Sequence, residues 1–305
     1  MINFRPLDFD VIFLSYDEPN CEANWQHLLD LCPQAQRVHG VKGSDAAHKA
    51  CAELARTDRM VIVDGDNYLD PQFLTQEFPL EDDLWDNTVL SFSSRNSING
   101  LVYGNGGVKC WPREVALTMQ THESAVDADS AAGVDFCWAL DYVLMPGVSG
   151  TARVNATAHQ AWRAGFREGV KFTLIDGQAT RDAETWLAQC ARVNLDRLII
   201  WAQVGADVAN GLWAVLGARQ GIYYSLFTDW DATRVQDFDH LDSLWEDRVQ
   251  SMKPWDESTV MGNALLSQLA QLPITEKPLL SEHSRWFKQV HAHAPRQQAK
   301  RMKDR

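Results

Sequence analysis

Residues 60–63, Met-Val-Ile-Val, are apolar at every position. A strand of that kind needs cover on both faces, which points to the interior of a sheet carrying helices on either side. Directly after it comes Asp64-Gly65-Asp66-Asn67, with Asp70 close behind. Three readings fit carboxylates at such a strand end: a tight turn, a calcium loop, or a metal site that holds a phosphorylated ligand. An EF-hand loop starting at Asp64 fails, because its sixth position is Leu69 instead of glycine and its twelfth is Thr75 instead of glutamate. The turn and the metal site both stay open on the residues alone.

The flanking sequence supplies the context. "DVIFLSY" (10–16) predicts a strand stopped by the turn-forming "DEPN". "CEANWQHLLDLC" then places Trp25, Leu28, Leu29 and Cys32 at helical spacing before Pro33 ends the run. "QRVHGV" reads as a second strand and "SDAAHKACAELAR" as a helix with Ser44 at its N-cap. Strand, helix, strand, helix, strand opens an α/β domain with a mainly parallel sheet flanked by helices. Ligands of such sheets gather at the carboxyl ends of the strands, where Asp17–Glu18 and Asp64–Asp66 both fall. "TVLSFSS" and "GLVYGNGGVKCWP" predict further strands, with a bend at Gly104, Gly106 and Gly107. The bend is not a dinucleotide fingerprint, since residue 109 is lysine and a strand follows it. Residues 182–217 and parts of 238–272 are strongly helical. The expected division is therefore an α/β domain over 1–175, a mainly helical region over 176–282 and a basic tail over 283–305.

Composition narrows the class of protein. Of 305 residues, 45% are hydrophobic and 23% charged, as in a soluble globular chain. No run of 18 apolar residues is present and the N-terminus lacks a signal-peptide pattern, so a cytoplasmic protein is expected, with no membrane partner. Six cysteines without a C-x-x-C pair suggest reduced thiols. The twelve tryptophans, Trp138, Trp162, Trp201, Trp213 and Trp230 among them, fall mostly at helical core spacing, with one or two available to stack on a sugar or base. The net charge of −13 is uneven: from His283 onward seven Lys/Arg face one Asp, leaving a body of −19. An acidic body argues against a coat along DNA, while a basic tail can tether one. A solvated chain end explains the tail equally well.

Two carboxylates one residue apart at a buried strand end can share a divalent cation that bridges the phosphates of a nucleotide. In this the chain resembles the nucleotide-diphosphosugar-dependent glycosyltransferases of the GT-A fold. The resemblance covers roughly residues 8–175 and rests on the strand "VIFLSY", the helix "AAHKACAELA" and "VDGDN" in the place of the D-x-D motif. Through "GVKGSDAAHKACAELARTDRMVIVDGDN" and "AWRAGFREGVKF" the chain is similar to tailed-phage proteins that read as glycosyltransferases, some of which place sugars on hydroxymethylated pyrimidines of phage DNA.

The resemblance implies a GT-A-like, Rossmann-like fold and a transferase. Asp66 would bind Mn²⁺ or Mg²⁺ directly, and Asp64 would hold the donor ribose or a metal-bound water. His159, in "TARVNATAHQAWRAGFREG", would be a late metal ligand at a strand end. Asp135, in "GVDFCWALDY", would be the general base of an inverting enzyme. Tyr16, Lys42 and His48 would contact the donor, a nucleotide-diphosphosugar such as a UDP-sugar. The implied acceptor is a 5-hydroxymethyl pyrimidine in DNA, such as 5-hydroxymethylcytosine, flipped out of the duplex in the host cytoplasm. Plainer roles stand beside each of these. Asp135 also fits a helix N-cap near Gly133, His159 a structural or surface position, and Lys42 and His48 a solvated helix face. A saccharide, lipid or protein acceptor, or a module without activity, fits the same motif.

Overall fold

The computed structural model describes residues 1–85, 87–119, 141–175 and 177–301. These divide into two compact units: within the described residues, one of 1–119, 141–153 and 293–301, the other of 154–292. The boundary falls at 153/154, upstream of the one expected near 175, and the basic segment is shared between the units instead of forming a tail.

The first unit begins with β1 (Ile2–Phe4), β2 (Asp10–Ser15), α1 (Cys21–Leu31), β3 (Gln36–His39), α2 (Ser44–Leu54) and β4 (Arg59–Asp64). Its remaining elements are β5 (Asn67–Leu69), β6 (Phe78–Leu80), β7 (Val89–Asn96), β8 (Val102–Pro112), α3 (Arg113–Thr118), β9 (Tyr142–Leu144) and β10 (Gly150–Ala152). β4 shows why the alternating strand and helix segments fold as they do. Val61 and Val63 enter a core with Val11, Phe13, Leu28, Phe73 and Phe92, while Met60 and Ile62 enter another with Ile12, Cys51, Ala52 and Trp111. Successive side chains point to opposite faces, so an all-apolar strand serves two cores at once.

The sheet is mixed, which corrects the expectation of a mainly parallel one. β2 pairs in parallel with β3 and β4, and β7 with β9 and β10. β8, however, runs antiparallel to both β4 and β7 and lies between them. The cause is the tight connection from β7 to β8. Asn96 Oδ1 accepts the amides of Ile98 and Asn99 at 2.9 and 3.3 Å, and Gly100 adopts φ +77°. Such a turn returns the chain antiparallel, where a parallel neighbour would require a long crossover.

The second unit holds α4 (Ala158–Lys171), a short hairpin of β11 (Leu174–Ile175) and β12 (Gln178–Ala179), then α5 (Ala183–Gln189), α6 (Arg192–Trp201) and α7 (Gly211–Phe227). α8 (Phe238–Leu244) continues as a π-turn over Trp245–Val249, followed by α9 (Pro254–Gln268) and α10 (Ser281–Val290). α4 and α7 pack backbone to backbone through Gly165, Gly169, Gly217 and Gly221. Arg219 of α7 is fully buried and donates to the carbonyls of Ala202, Ser258, Thr275 and Glu276 at 2.5–2.9 Å. Burial with no carboxylate among these partners pulls its guanidinium down to about 10. Among the described residues no helix is long and apolar enough to cross a membrane.

The chain then returns to the first unit. β13 (Lys300–Arg301) pairs antiparallel with β9, the amide of Gly147 donates to Arg296 O at 2.9 Å, and Arg301 forks onto Asp141. Lys288 of α10 is paired with Asp207 at 2.6 Å. Two of the seven cations counted from His283 onward are therefore engaged by carboxylates.

Candidate functional site

The parallel trio β3–β2–β4 brings three chain segments to one sheet edge: residues 16–20 after β2, 40–43 after β3 and 65–66 after β4. Asp64 is the last residue of β4, one beyond the final Val63–Val108 pair of the β4–β8 ladder, and Gly107 comes next on β8. A Cβ at Gly107 would stand 1.6 Å from Asp64 Oδ2, so the carboxylate occupies the space that a side chain would fill. The glycine of the bend thus makes room for the Asp64 carboxylate. Gly65 plays the same part for Glu18, whose Oε2 would lie 2.5 Å from an added Cβ. Glu18 is oriented by the Tyr16 amide, which donates to that oxygen at 2.8 Å.

Glu18, Asp64 and Asp66 thus share one electrostatic neighbourhood, with Lys109 acting on Asp64. Burial, and secondarily the charge of Glu18, pushes the Asp64 carboxyl up to about 6 against the pull of Lys109. Burial also raises Asp66, to about 7, reinforced by Asp64 and Glu18. A carboxyl that holds its proton this firmly sits in a field that a cation would relieve. The backbone around it is well tied. Arg153 N donates to Asp66 O at 2.7 Å, and Asn24 Nδ2 to Gly65 O at 2.9 Å. Beside Asp66, Tyr68 stacks on His27 at 3.6 Å and carries the Arg153 guanidinium 3.5 Å from its ring centroid.

The other expected site residues are spread more widely. Tyr16 is exposed at the end of β2, and Lys42 is exposed in the loop before α2. His48 is buried in α2, with Nδ1 2.8 Å from Ser44 O and its ring 4.9 Å from that of Trp111. His159 belongs to the second unit, on the first turn of α4 and not at a strand end. Its ring stacks on Trp245 and Trp162, and its Nε2 lies 3.1 Å from Asp242 Oδ1. Asp135 lies outside the described residues. Sequence reasoning placed Glu18 at a strand end without giving it a role, and it passed over Asn67 and Lys109.

Among the described residues no three His, Cys, Asp or Glu side chains converge in a geometry that could hold a metal ion by themselves. The donor set nevertheless fits a hard divalent cation. Magnesium-like ions take one or two carboxylates and complete their shell with water and substrate phosphate. Asp64 and Asp66, with proton affinities raised by burial and by neighbouring carboxylates, are donors of that kind. Comparison with protein-family models, curated proteins and solved structures gives no match to this chain.

The raised carboxyls make stability depend on pH. Between about 4 and 7 the folded chain binds more protons at Asp64 and Asp66 than the unfolded chain does. The slope of unfolding free energy against pH is then negative, and their contribution destabilises as pH rises through about 6 and 7. In metal-free buffer, the stability gap between D64N/D66N and the wild type should widen in favour of the variant from about pH 5 to about pH 8. Calorimetry at both ends of that range checks this, and a gap independent of pH would mean that the two groups titrate normally.

Proposed function

We propose that this chain is a metal-dependent glycosyltransferase that moves a sugar from a nucleotide-diphosphosugar to an acceptor hydroxyl. The observation that carries the reading is the Asp64–Asp66 pair, set at the carboxyl edge of a buried strand whose two neighbours on one side are parallel, with Glu18 beside it. Asp66 and Asp64 would hold Mn²⁺ or Mg²⁺, which when bound neutralises charge on the departing diphosphate. The protein's own groups then do the rest. Tyr16 and Lys42 flank the donor nucleotide at the ends of β2 and β3, and Lys109 adds positive charge near Asp64. The acceptor oxygen forms its bond to the anomeric carbon as the bond from that carbon to the diphosphate breaks. The acceptor proton passes to a general base, for which Asp135 is our candidate. A role for His159 at the metal competes with its contact to Asp242.

The leading acceptor is a 5-hydroxymethyl pyrimidine in DNA. The body's charge of −19, and the engagement of Arg301 and Lys288 by carboxylates, count against DNA and keep a saccharide, lipid or protein acceptor as the second reading. One experiment decides between them. The protein is incubated with Mn²⁺, a panel of nucleotide sugars and hydroxymethylated DNA, and the nucleosides are then read by mass spectrometry. A hexose or pentose mass on the hydroxymethyl base is the expected result. Donor hydrolysis without a modified base moves the acceptor to another class. Neither hydrolysis nor transfer with any donor would leave a binding module.

A further inference from the structure

Asp66 is the end of a buried chain of polar side chains that reaches across three strands. Asn67 Nδ2 donates to Asp66 Oδ1 at 2.7 Å. Asn67 Oδ1 accepts from Ser94 Oγ of β7 at 3.0 Å, and Ser94 Oγ lies 3.0 Å from Ser149 Oγ, just before β10. Ser149 is anchored in turn on Ser93, its amide at 2.8 Å and its hydroxyl at 3.1 Å from that carbonyl. Asn67, Ser94 and Ser149 are 2%, 0% and 1% exposed, so water does not compete for these bonds.

Ser94 donates to Asn67 Oδ1 and Ser149 to Ser93 O, which leaves the 3.0 Å approach of Ser94 and Ser149 as a contact between two hydroxyl oxygens. A hydroxyl has one proton. When Ser94 gives its proton to Asn67, the amide must present oxygen to the serine and NH₂ to the aspartate. That is the orientation observed, with Asn67 Nδ2 on Asp66 Oδ1. With Ser94 as donor, Asn67 turns its NH₂ to Asp66 Oδ1 and holds that oxygen. Three side chains, Asn67 of β5, Ser94 of β7 and Ser149 of the loop before β10, hold Asp66 in place, and buried polar networks rigidify the groups they join.

We propose that Asn67, Ser94 and Ser149 are positioning residues that occupy Asp66 Oδ1 and so present the carboxylate to its ligand through Oδ2 alone. The inference rests on the cation-binding reading given above. It extends that reading to side chains that touch neither metal nor donor. Outer partners of this kind typically change metal affinity by about 10–100-fold.

The probe is Mn²⁺ itself, titrated into the full chain with free Mn²⁺ followed by its EPR signal. Ser94→Ala is expected to weaken Mn²⁺ binding by about 10-fold or more, with Ser94→Thr, which keeps the hydroxyl, returning it to the wild-type value. Ser149→Ala, a smaller change at the far end, should move it in the same direction and stands in should Ser94→Ala fail to fold. A second readout needs no metal: the Asn67 side-chain amide protons should exchange slowly with solvent in the wild type and fast in Ser94→Ala. Unchanged affinity and unchanged amide exchange in Ser94→Ala, beside a wild type that binds Mn²⁺, overturn the positioning role alone. A wild type that does not bind Mn²⁺ overturns the reading of the site, and the presentation role with it.

Discussion

Replacing Asp66 with alanine should abolish Mn²⁺-dependent turnover of a nucleotide sugar, a loss of at least about 10³-fold, while the first unit stays folded. The size follows from what a bound cation contributes. Neutralising charge on a leaving diphosphate is worth several kcal/mol, and each 1.4 kcal/mol is about tenfold in rate. The fold should survive because Asp66 lies beyond the end of β4, in a setting that raises its proton affinity. Removing that charge relieves repulsion from Asp64 and Glu18, so the metal-free variant should melt no lower than the wild type at neutral pH. Loss of activity with retained stability separates a ligand from a structural group. Gly107→Ala should mimic the loss from the facing strand, because its Cβ claims the space held by the Asp64 carboxylate. Excess chelator should silence the wild type and added Mn²⁺ restore it. Full activity in chelator, or an Asp66→Ala enzyme within about tenfold of the wild type, would remove the metal from the mechanism.

Much of the edge that holds this pair is legible in the sequence. Each of β2, α1, β3, α2 and β4 carries its own local signature, and the apolar run at 60–63 announces burial on two faces. Asp64 and Asp66 follow from position alone. The rest depends on contacts that no local pattern encodes. Whether β8 lies parallel or antiparallel to β4 is set by the turn at 96–101, and its own residues suit either direction. The approach of Gly107 to Asp64 requires that register, so the glycine bend could be seen but not explained. β5 and β10 have three residues each, too few for an alternation to stand out. The partners of Lys288 and Arg301 lie 81 and 160 residues away along the chain, which hides their engagement from any local reading. One signal could have been caught. Thr157 and Gln160 form a Thr-x-x-Gln pair, and Thr157 Oγ1 does accept from Gln160 N at 3.1 Å. That pair marks a helix start, and it would have put His159 on a helix.

The stretch "AWRAGFREGVKF" supported a family resemblance, yet in the fold it is half of a helix pair, and this leads to the second large effect expected. An added Cβ at Gly165 would lie 2.0 Å from Ala214 O, and at Gly169 2.3 Å from Ala218 O. The partner helix answers in kind: Gly217 would meet Trp162 O at 2.1 Å and Gly221 Phe166 O at 2.3 Å. Both spacings are Gly-x-x-x-Gly, and the numbering rises together on the two helices, so α4 and α7 run in the same direction with their backbones in contact. An ordinary glycine inside a helix is stabilised by alanine by about 1 kcal/mol. Here the new methyl meets main-chain carbonyls, which cannot rotate away as a flexible side chain does. The helices would have to separate, loosening a core that contains Trp162, Phe166, Val170 and Leu216. Overpacking costs about 1–3 kcal/mol even where side chains can adjust, and the upper end or beyond is expected here. Gly165→Ala and Gly217→Ala should each lower the melting temperature of the second unit by about 6–12 °C. A neutral control is Gly104→Ala, where the nearest atom to the new Cβ is Ser91 Oγ at 3.8 Å. If Gly165→Ala instead raised the melting temperature, helix propensity would have won, and the two helices could not be in backbone contact.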